Sequence, residues 1–265
     1  MRFNRSPLRA SKPESAAEMS FPFFKFSDAD LQAKAGPLSE IYQNAAPFPH
    51  MVIDDFLPVE VAEAALSAFP SPEHPAWFDW KKGDTENQPK KLGVRHASRM
   101  EEMHPFMHNL CSAFNAYPFL HFLQTLSGID HPLPDPYLYG GGMHQILPGG
   151  MLKVHADFNY HAPLGLYRKM NVLLYLNKNW EESYGGHLEL WDKDLTRCAH
   201  RIAPLFNRCV IFNTSRTSYH GHPNILTCPE GMTRKSLAFY YYTHVADPDD
   251  VEAHSTLWKE TTPTV

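Results

Sequence analysis

Short apolar segments separated by glycine, proline and asparagine fill most of the chain from residue 136 to residue 245. Seven of these segments have the length and the apolar content of strands: GMHQIL, MLKVHADF, KMNVLLYLN, GHLELWD, CAHRIAP, RCVIFN and KSLAFYYYT. Many short strands with turn residues between them predict an antiparallel sandwich or barrel. We expect a sandwich of the jelly-roll type, which is built from short antiparallel strands of this kind.

The N-terminal half reads differently and is rich in predicted helices. We expect helices at about 28–45, 59–69, 104–115 and 117–127, and a strand at 50–57. Gly36-Pro37 should interrupt the first helix. Residues 80–103 lack a clear period and should form a long loop or a mobile flap.

These patterns together predict a mainly β protein with an α-rich N-terminal half, in which helices pack on the sandwich. Residues 1–20 should form a disordered tail, and residues 21–265 a single domain. Within that domain we expect helical support and the flap at 21–135, the β core at 136–245, and a C-terminal tail at 246–265.

The composition argues against several classes of protein. A net charge of −5 gives no basis for binding nucleic acid through bulk electrostatics, and no apolar run approaches the roughly 20 residues of a membrane span. The first 20 residues lack the apolar stretch of a secretory signal. Four widely spaced cysteines show neither metal-binding nor disulfide spacing. We therefore expect reduced thiols and a cytoplasmic location.

A His-x-Asp…His pattern indicates a metal site. His155 and Asp157 lie two residues apart in the apolar segment MLKVHADF, so on a strand both side chains project from the same face. His220 follows 65 residues after His155, and His222 comes two residues later. Two imidazoles and one carboxylate suit a divalent first-row metal and leave coordination positions open. The competing interpretation is a core histidine and a capping aspartate, but an unpaired aspartate beside an apolar strand is costly.

The order of these segments resembles that of the 2-oxoglutarate/Fe(II)-dependent oxygenases, specifically their prolyl-4-hydroxylase-like branch. From about Leu138 to Thr243 it reads LPGG, HAD, NVLLYLN, YGGHLELWD, VIFN, the distal histidine and RKS. The resemblance implies a double-stranded β-helix with the metal inside its mouth, and His220 rather than His222 as the third ligand. It also implies a 2-oxoglutarate-dependent hydroxylase whose cofactors are Fe(II), 2-oxoglutarate and O2. Asp157 argues against the halogenating branch, which has a small residue at that position.

Arg234 and Ser236 alternate with Lys235 in RKSLAFYYYT, so both face inward if the lysine faces water. A guanidinium can hold the distal carboxylate of 2-oxoglutarate through two parallel charge-assisted hydrogen bonds. The family resemblance implies this role for the R-x-S element at these positions. The alternative is a surface arginine at the start of a strand.

Other polar residues have less specific signals. The resemblance implies that Tyr175 donates a hydrogen bond to the same carboxylate, although it could equally be a buried aromatic residue. Asn171 and Gln145 could contact the co-substrate or order water near the metal. Three further histidines are expected in loops or on the surface: His144, His161 and His187.

The segment 81–99 carries six basic side chains against two acidic ones, in a chain whose total charge is negative. A basic flap over the metal mouth would favour a small anionic substrate, with Arg95 and Arg99 as candidate contacts. The alternatives are a solvated loop without a role in binding, a peptidyl-prolyl hydroxylase, and a cupin-like metal-binding protein without oxygenase chemistry. We expect a small-molecule partner and no nucleic-acid or membrane partner; the sequence predicts no oligomeric state.

Overall fold

The computed structural model describes residues 23–79, 86–94 and 102–261. Within these ranges the helices are α1 (Asp28–Gln43), α2 (Val59–Ser67), α3 (Pro105–Phe114) and α4 (Tyr117–Ser127), with a 3₁₀ turn at Glu182–Tyr184. The strands are β1 (His50–Ile53), β2 (Phe78–Asp79), β3 (Lys91–Gly93), β4 (Leu133–Pro134), β5 (Gly142–Ile146), β6 (Leu152–Ala156), β7 (Tyr160–His161), β8 (Leu166–Tyr175), β9 (Leu188–Trp191), β10 (Cys198–Ile202), β11 (Cys209–Asn213), β12 (His220–His222), β13 (Arg234–Thr243) and β14 (Leu257–Trp258). The tail predicted at residues 1–20 lies outside the described part of the chain.

The first helix is continuous. α1 begins at Ser27, whose hydroxyl accepts a hydrogen bond from the backbone N–H of Asp30, and it contains Pro37. The predicted interruption at Gly36-Pro37 is therefore wrong. A proline inside a helix removes one backbone hydrogen bond, but α1 packs along α4, where Ser39 donates a hydrogen bond to the Thr125 carbonyl oxygen. No helix in the described ranges is long and apolar enough to cross a membrane.

Two antiparallel sheets form the body of the protein. The larger sheet has the strand order β1-β11-β8-β13-β5-β3-β2, with β4 beside β13 and β7 beside β8, and the smaller sheet has the order β10-β9-β12-β6-β14. Apolar side chains fill the space between them, where Leu188 and Leu190 of β9 meet Val210 and Phe212 of β11. The predicted mainly β fold with an α-rich N-terminal half is confirmed, and each of the seven predicted strand segments contains a strand.

Strands β8 and β13 lie at the centre of the larger sheet and are buried along most of their length. Val172 and Phe239 point toward the helices, where Phe239 stacks on Phe114 with 4.4 Å between the ring centres. Side chains at alternate positions, such as Asn171 and Ser236, line a cavity on the other face. The helical layer therefore covers one face of the sheet and leaves the other face for a site.

Two short strands beside this cavity were not predicted. β3 occurs inside the expected loop at 80–103 and pairs with β5. β14 occurs inside the expected tail at 246–265 and pairs with β6, where Trp258 lies opposite His155. Strands of two or three residues show no periodicity, so their position depends on the partner strand that they pair with.

Candidate active site

Three candidate metal ligands meet between the two sheets. β12 pairs with β6 so that His220 lies directly opposite His155, and Asp157 follows the last residue of β6. Asp157 Oδ1 lies 3.5 Å from His155 Nε2, and Asp157 Oδ2 lies 3.4 Å from His220 Nε2. Ligand atoms of the three residues all lie within 4.8 Å of one another. A single metal ion could therefore contact all three side chains.

A glycine allows the two histidine strands to approach each other. A Cβ atom on Gly221 would come within 2.8 Å of the Lys153 carbonyl oxygen and 2.9 Å of the Leu152 carbonyl oxygen. A side chain at this position would push β12 away from β6 and separate His220 from His155. The close approach of the two strands therefore requires a glycine between the two histidines of the segment YHGH.

Hydrogen bonds orient both imidazole rings for metal binding. His155 Nδ1 lies 2.8 Å from the Lys153 carbonyl oxygen, and His220 Nδ1 lies 2.9 Å from the Ser218 carbonyl oxygen. A carbonyl oxygen only accepts, so each Nδ1 carries a hydrogen and each Nε2 is left to bind a metal. Burial, together with the nearby His220, lowers the pKa of His155 and favours the neutral imidazole that ligation requires.

The carboxylate of Asp157 is held in place by two donors. Arg168 Nη2 lies 2.9 Å from Oδ2, and Asn171 Nδ2 donates to the same oxygen at 2.8 Å. Burial would raise the pKa of this carboxyl, but the charge of Arg168 holds the pKa well below its usual value. Asp157 is therefore ionised, and its donors favour one orientation of the carboxylate. These features fit a divalent metal such as Fe(II).

Arg168 is a site residue that the sequence analysis missed. Its side chain is 1% exposed, and its guanidinium carbon lies 4.6 Å from the centre of the Phe158 ring and 3.4 Å from that of Tyr240. Nη1 is buried and has no hydrogen-bond partner among the described residues. A guanidinium between two aromatic faces, with one donor group unused, can bind an anion.

A β-bulge explains why strand alternation did not reveal Arg168. Two successive residues of β13 pair with Met170 and Arg168, so Lys169 is an extra residue in the ladder. An extra residue reverses the alternation of side chains. Arg168 consequently bonds to Asn171 Oδ1 through Nε at 2.9 Å and Nη2 at 2.6 Å, although three positions separate them.

The three candidate ligands line a cavity of about 280 Å³. Among the other residues predicted for the site, Asn171, Arg234 and Ser236 also line this cavity. Asn171 is committed to Asp157 and Arg168, so its hydrogen bonds support the metal carboxylate. Unpredicted lining residues include Lys91, His144, Arg168, His222, Tyr240 and Trp258.

Arg234 lies at the other end of the cavity. Its side chain is buried at the start of β13, where Nε donates to the Gly186 carbonyl oxygen at 2.7 Å and Nη2 donates to the Tyr175 hydroxyl at 3.1 Å. The predicted inward direction of Arg234 and Ser236 is confirmed, and Lys235 between them is more exposed. Tyr175 is fully buried behind the guanidinium and does not line the cavity, so it positions Arg234 and makes no direct contact there.

Several predictions about polar residues are wrong. Gln145 is fully buried on the opposite face of β5 from the cavity, and its Oε1 accepts a hydrogen bond from Thr233. His187 is buried but lies in the loop before β9, as expected, whereas His144 on β5 and His161 on β7 are buried on strands. Strand pairing rather than residue type determines their burial. Arg95 and Arg99 lie outside the described residues, so their proposed contacts stay predictions, while Lys91 from the same basic segment lines the cavity.

Comparisons with known proteins give the family and the fold. A family model described as the 2OG-Fe(II) oxygenase superfamily matches residues 141–242, and no curated protein matches the chain. One similar structure is a prolyl hydroxylase from Trichoplax adhaerens in complex with a peptide fragment of hypoxia inducible factor. It is 15% identical, with a TM-score of 0.55, over 82% of this chain and 94% of that one.

Two other solved structures have a similar fold. A prolyl 4-hydroxylase from Phytophthora capsici is 19% identical, with a TM-score of 0.52, over 87% of this chain and 69% of that one. HygX from Streptomyces hygroscopicus, with nickel, 2-oxoglutarate and hygromycin B bound, is 11% identical, with a TM-score of 0.53, over 84% of this chain and 96% of that one. Residues 141–242 therefore belong to the 2-oxoglutarate/Fe(II)-dependent oxygenase superfamily, and the protein is a 2-oxoglutarate-dependent oxygenase that uses Fe(II), 2-oxoglutarate and O2.

Proposed function

We propose that the protein hydroxylates an unactivated C–H bond of a small anionic metabolite, with release of succinate and carbon dioxide. The observation that carries the substrate class is the buried Arg168, which lines the cavity with Nη1 unpaired among the described residues. We further propose that the two sheets form the double-stranded β-helix of this superfamily, with His155, Asp157 and His220 as the protein ligands of iron.

The residues around the candidate ligands have distinct roles in this proposal. Bound Fe(II) and 2-oxoglutarate would supply the oxidising chemistry together with O2, which is the oxidant: one of its oxygen atoms enters the hydroxyl group and the other enters succinate. The backbone carbonyl groups that hold both Nδ1 atoms fix the imidazole rings, and Arg168 with Asn171 fixes the carboxylate of Asp157. Because these groups are set before the ligand arrives, little reorganisation is needed during the reaction.

Arg234 is the proposed anchor of the distal carboxylate of 2-oxoglutarate. Its Nε and one Nη2 hydrogen are taken by Gly186 and Tyr175, which leaves Nη1 and the other Nη2 hydrogen for a ligand. A carboxylate on this remaining edge would receive two parallel charge-assisted hydrogen bonds. Arg234 and Tyr175 thus act as one unit, in which the tyrosine orients the arginine.

The charges that line the cavity favour an anionic substrate. Lys91, Arg168 and Arg234 contribute positive charge to the cavity. Of the described residues that line it, Asp157 is the acidic one and contributes negative charge. The charge of Fe(II) and the charge of the 2-oxoglutarate dianion offset each other, so the loaded cavity keeps an excess of positive charge. An anionic group near Arg168 would reduce that excess and would pair with Nη1.

The size of the cavity favours a small substrate. A volume of about 280 Å³ lies just below the roughly 300–1,000 Å³ that is usual for ligand pockets. 2-Oxoglutarate must occupy part of it. The ring of Trp258 packs on His155 with 4.9 Å between ring centres and narrows the space beside the metal.

A peptidyl-prolyl hydroxylase is the second candidate. Tyr139 lines the cavity and is 45% exposed, and the neighbouring Tyr137 is 58% exposed. Exposed aromatic rings beside a pocket can bind proline-rich segments, and two of the similar structures are prolyl hydroxylases. The match to the oxygenase superfamily argues against the alternative of a cupin-like metal-binding protein without oxygenase chemistry.

The test measures succinate release from 2-oxoglutarate with matched compounds. Carboxylated and phosphorylated metabolites are compared with their neutral amides or esters, and proline-containing peptides are assayed in parallel. We expect stimulation by an anionic small molecule and at least tenfold weaker stimulation by its neutral partner, as loss of a charge-assisted hydrogen bond implies. Stimulation by peptides alone, or equal stimulation by the neutral partner, would contradict the proposal.

A further inference from the structure

His222 is a buried polar residue whose ring forms no hydrogen bond with any described residue. Its side chain is 2% exposed, and neither ring nitrogen has a hydrogen-bond partner among the described residues. It nevertheless lines the cavity. A buried polar group that makes no hydrogen bond destabilises the folded state. Its position on the cavity wall indicates that a ligand supplies the missing bond.

Strand geometry places His222 in the part of the cavity next to Arg234. His220 pairs with His155 beside the candidate metal position, whereas His222 lies opposite Leu152, at the start of β6. Leu226 follows His222 by four residues and lies close to Arg234. A Cβ atom on Gly186 would be 2.5 Å from Leu226 Cδ2 and 3.1 Å from Arg234 Cδ. β12 therefore runs from the metal ligands toward the anchor of the co-substrate.

The hydrogen bonds of Arg234 leave part of the co-substrate carboxylate unsatisfied. One edge of the guanidinium is occupied by Gly186 and Tyr175, so the remaining edge offers two donors. A carboxylate has about four acceptor positions. The Ser236 hydroxyl, which also lines the cavity, can supply one more donor, and a buried carboxylate that has lost its water shell still needs a further donor from the protein.

We propose that His222 donates a ring N–H hydrogen bond to the distal carboxylate of 2-oxoglutarate and is, with Arg234, a specificity residue for the co-substrate. Neutral and protonated imidazole both carry at least one N–H donor, so the assignment does not depend on the charge of the ring. The proposed role of His222 rests on the proposed function of Arg234 as the anchor of 2-oxoglutarate. His222 is therefore a co-substrate residue and not a ligand of the metal.

The experiment measures binding without turnover. The Fe(II) protein, wild type and variants, is titrated anaerobically with 2-oxoglutarate and with 2-oxobutyrate, which lacks the distal carboxylate. The absorbance of the iron–oxoacid complex gives both dissociation constants, and the iron content is measured separately. His222→Val removes the donor, and His222→Gln keeps an N–H donor of similar reach.

We expect His222→Val to weaken 2-oxoglutarate binding about tenfold or more, as loss of a hydrogen bond to a charged group implies, and to leave 2-oxobutyrate binding and iron content unchanged. His222→Gln should retain most of the affinity. The matched control is His161→Val, because His161 is also buried and neither of its ring nitrogens has a hydrogen-bond partner among the described residues, although Nε2 lies 3.5 Å from Asp135 Oδ2, and it does not line the cavity. It should leave both constants unchanged.

Three outcomes would overturn the inference: wild-type affinity for 2-oxoglutarate in His222→Val, equal weakening for both acids, or loss of iron. Arg234→Ala separates this inference from the proposed function. If Arg234→Ala also binds 2-oxoglutarate normally, the proposed co-substrate site fails, whereas an effect at Arg234 alone rejects only the role of His222.

A measurement on the wild-type protein covers the case in which the valine variant does not fold. With diamagnetic Zn(II) in the site, the ring N–H signal of His222, assigned by its loss in His222→Gln, is followed by NMR. Addition of 2-oxoglutarate should shift this signal to the position of a hydrogen-bonded N–H, and 2-oxobutyrate should not. An unchanged signal after saturation with 2-oxoglutarate would reject the proposed bond.

Discussion

The two ends of the cavity each contain a buried arginine, and the two arginines differ in what holds them. Arg168 forms an ion pair with Asp157 and lies between the rings of Phe158 and Tyr240. Arg234 bonds to a backbone carbonyl oxygen and to the neutral hydroxyl of Tyr175, and within the described ranges no carboxylate forms an ion pair with it.

Because their partners differ, the two arginines should have different roles in binding. The charge of Arg168 already stabilises the ionised carboxylate of a candidate metal ligand, so Arg168 should affect the metal as well as the substrate. The charge of Arg234 is buried and has no counter-ion in the described part of the chain, so an anionic ligand would stabilise it. We therefore expect the Arg234 end to bind the co-substrate and the Arg168 end to couple the metal to the substrate.

The largest effect is expected from the candidate metal ligands, which the two ends share. His155→Ala, Asp157→Ala or His220→Ala should each abolish succinate release, because the loss of one of three ligands weakens iron binding. Iron content after gel filtration provides the check, with His222→Ala as the control that keeps its metal. Loss of iron in His222→Ala but not in His220→Ala would exchange the two assignments.

Arg234→Ala should raise the concentration of 2-oxoglutarate needed for half-maximal turnover by one to a few orders of magnitude. The reason is the loss of a buried charge pair, which costs roughly 2–5 kcal/mol when one partner is removed. Iron affinity should change much less. A titration of initial rates against 2-oxoglutarate checks this, and wild-type dependence would remove Arg234 from the site.

Arg168→Gln should lower the affinity for Fe(II) by about 10- to 100-fold, the usual effect of changing a group that orients a metal ligand. Arg234→Gln is the matched control and should leave metal affinity nearly unchanged. Competition with a coloured chelator measures both variants. Equal metal affinities in the two variants would break the distinction between the two ends of the cavity.

The smallest effect is expected from Tyr175→Phe. This change removes one hydrogen bond to Arg234 Nη2 and leaves the guanidinium in place, so 2-oxoglutarate should bind about fivefold more weakly, as a single neutral hydrogen bond implies. An effect as large as that of Arg234→Ala would show that the tyrosine contacts the carboxylate directly, as the family resemblance implied.

Local spacing was enough to predict the residues that project from regular strands. His155 lies on β6 and Asp157 directly follows that strand, two positions on, while Arg234 and Ser236 are two positions apart on β13, so alternation alone placed each pair on one face. The seven predicted strands were found for the same reason, because short alternating segments bounded by turn residues carry their own signal.

Residues whose placement depends on a partner strand could not be predicted in this way. The bulge at Lys169 turns Arg168 toward the cavity, and pairing with β6 brings Trp258 from an expected tail onto His155. Gln145 was expected near the co-substrate, but the register of β5 with β13 turns its side chain to the face away from the cavity. In each case a contact between residues far apart in sequence determines the direction of the side chain.

The sequence by itself determined the superfamily, the candidate metal ligands and the candidate anchor of the co-substrate, because these depend on spacing within single strands and on the order of segments. The tertiary structure decided which other polar groups line the cavity, with Arg168 at one end and His222 near the other. The physical reason is that burial and orientation depend on the register between strands, and a bulge or a short paired strand changes that register without leaving a periodic pattern in the sequence.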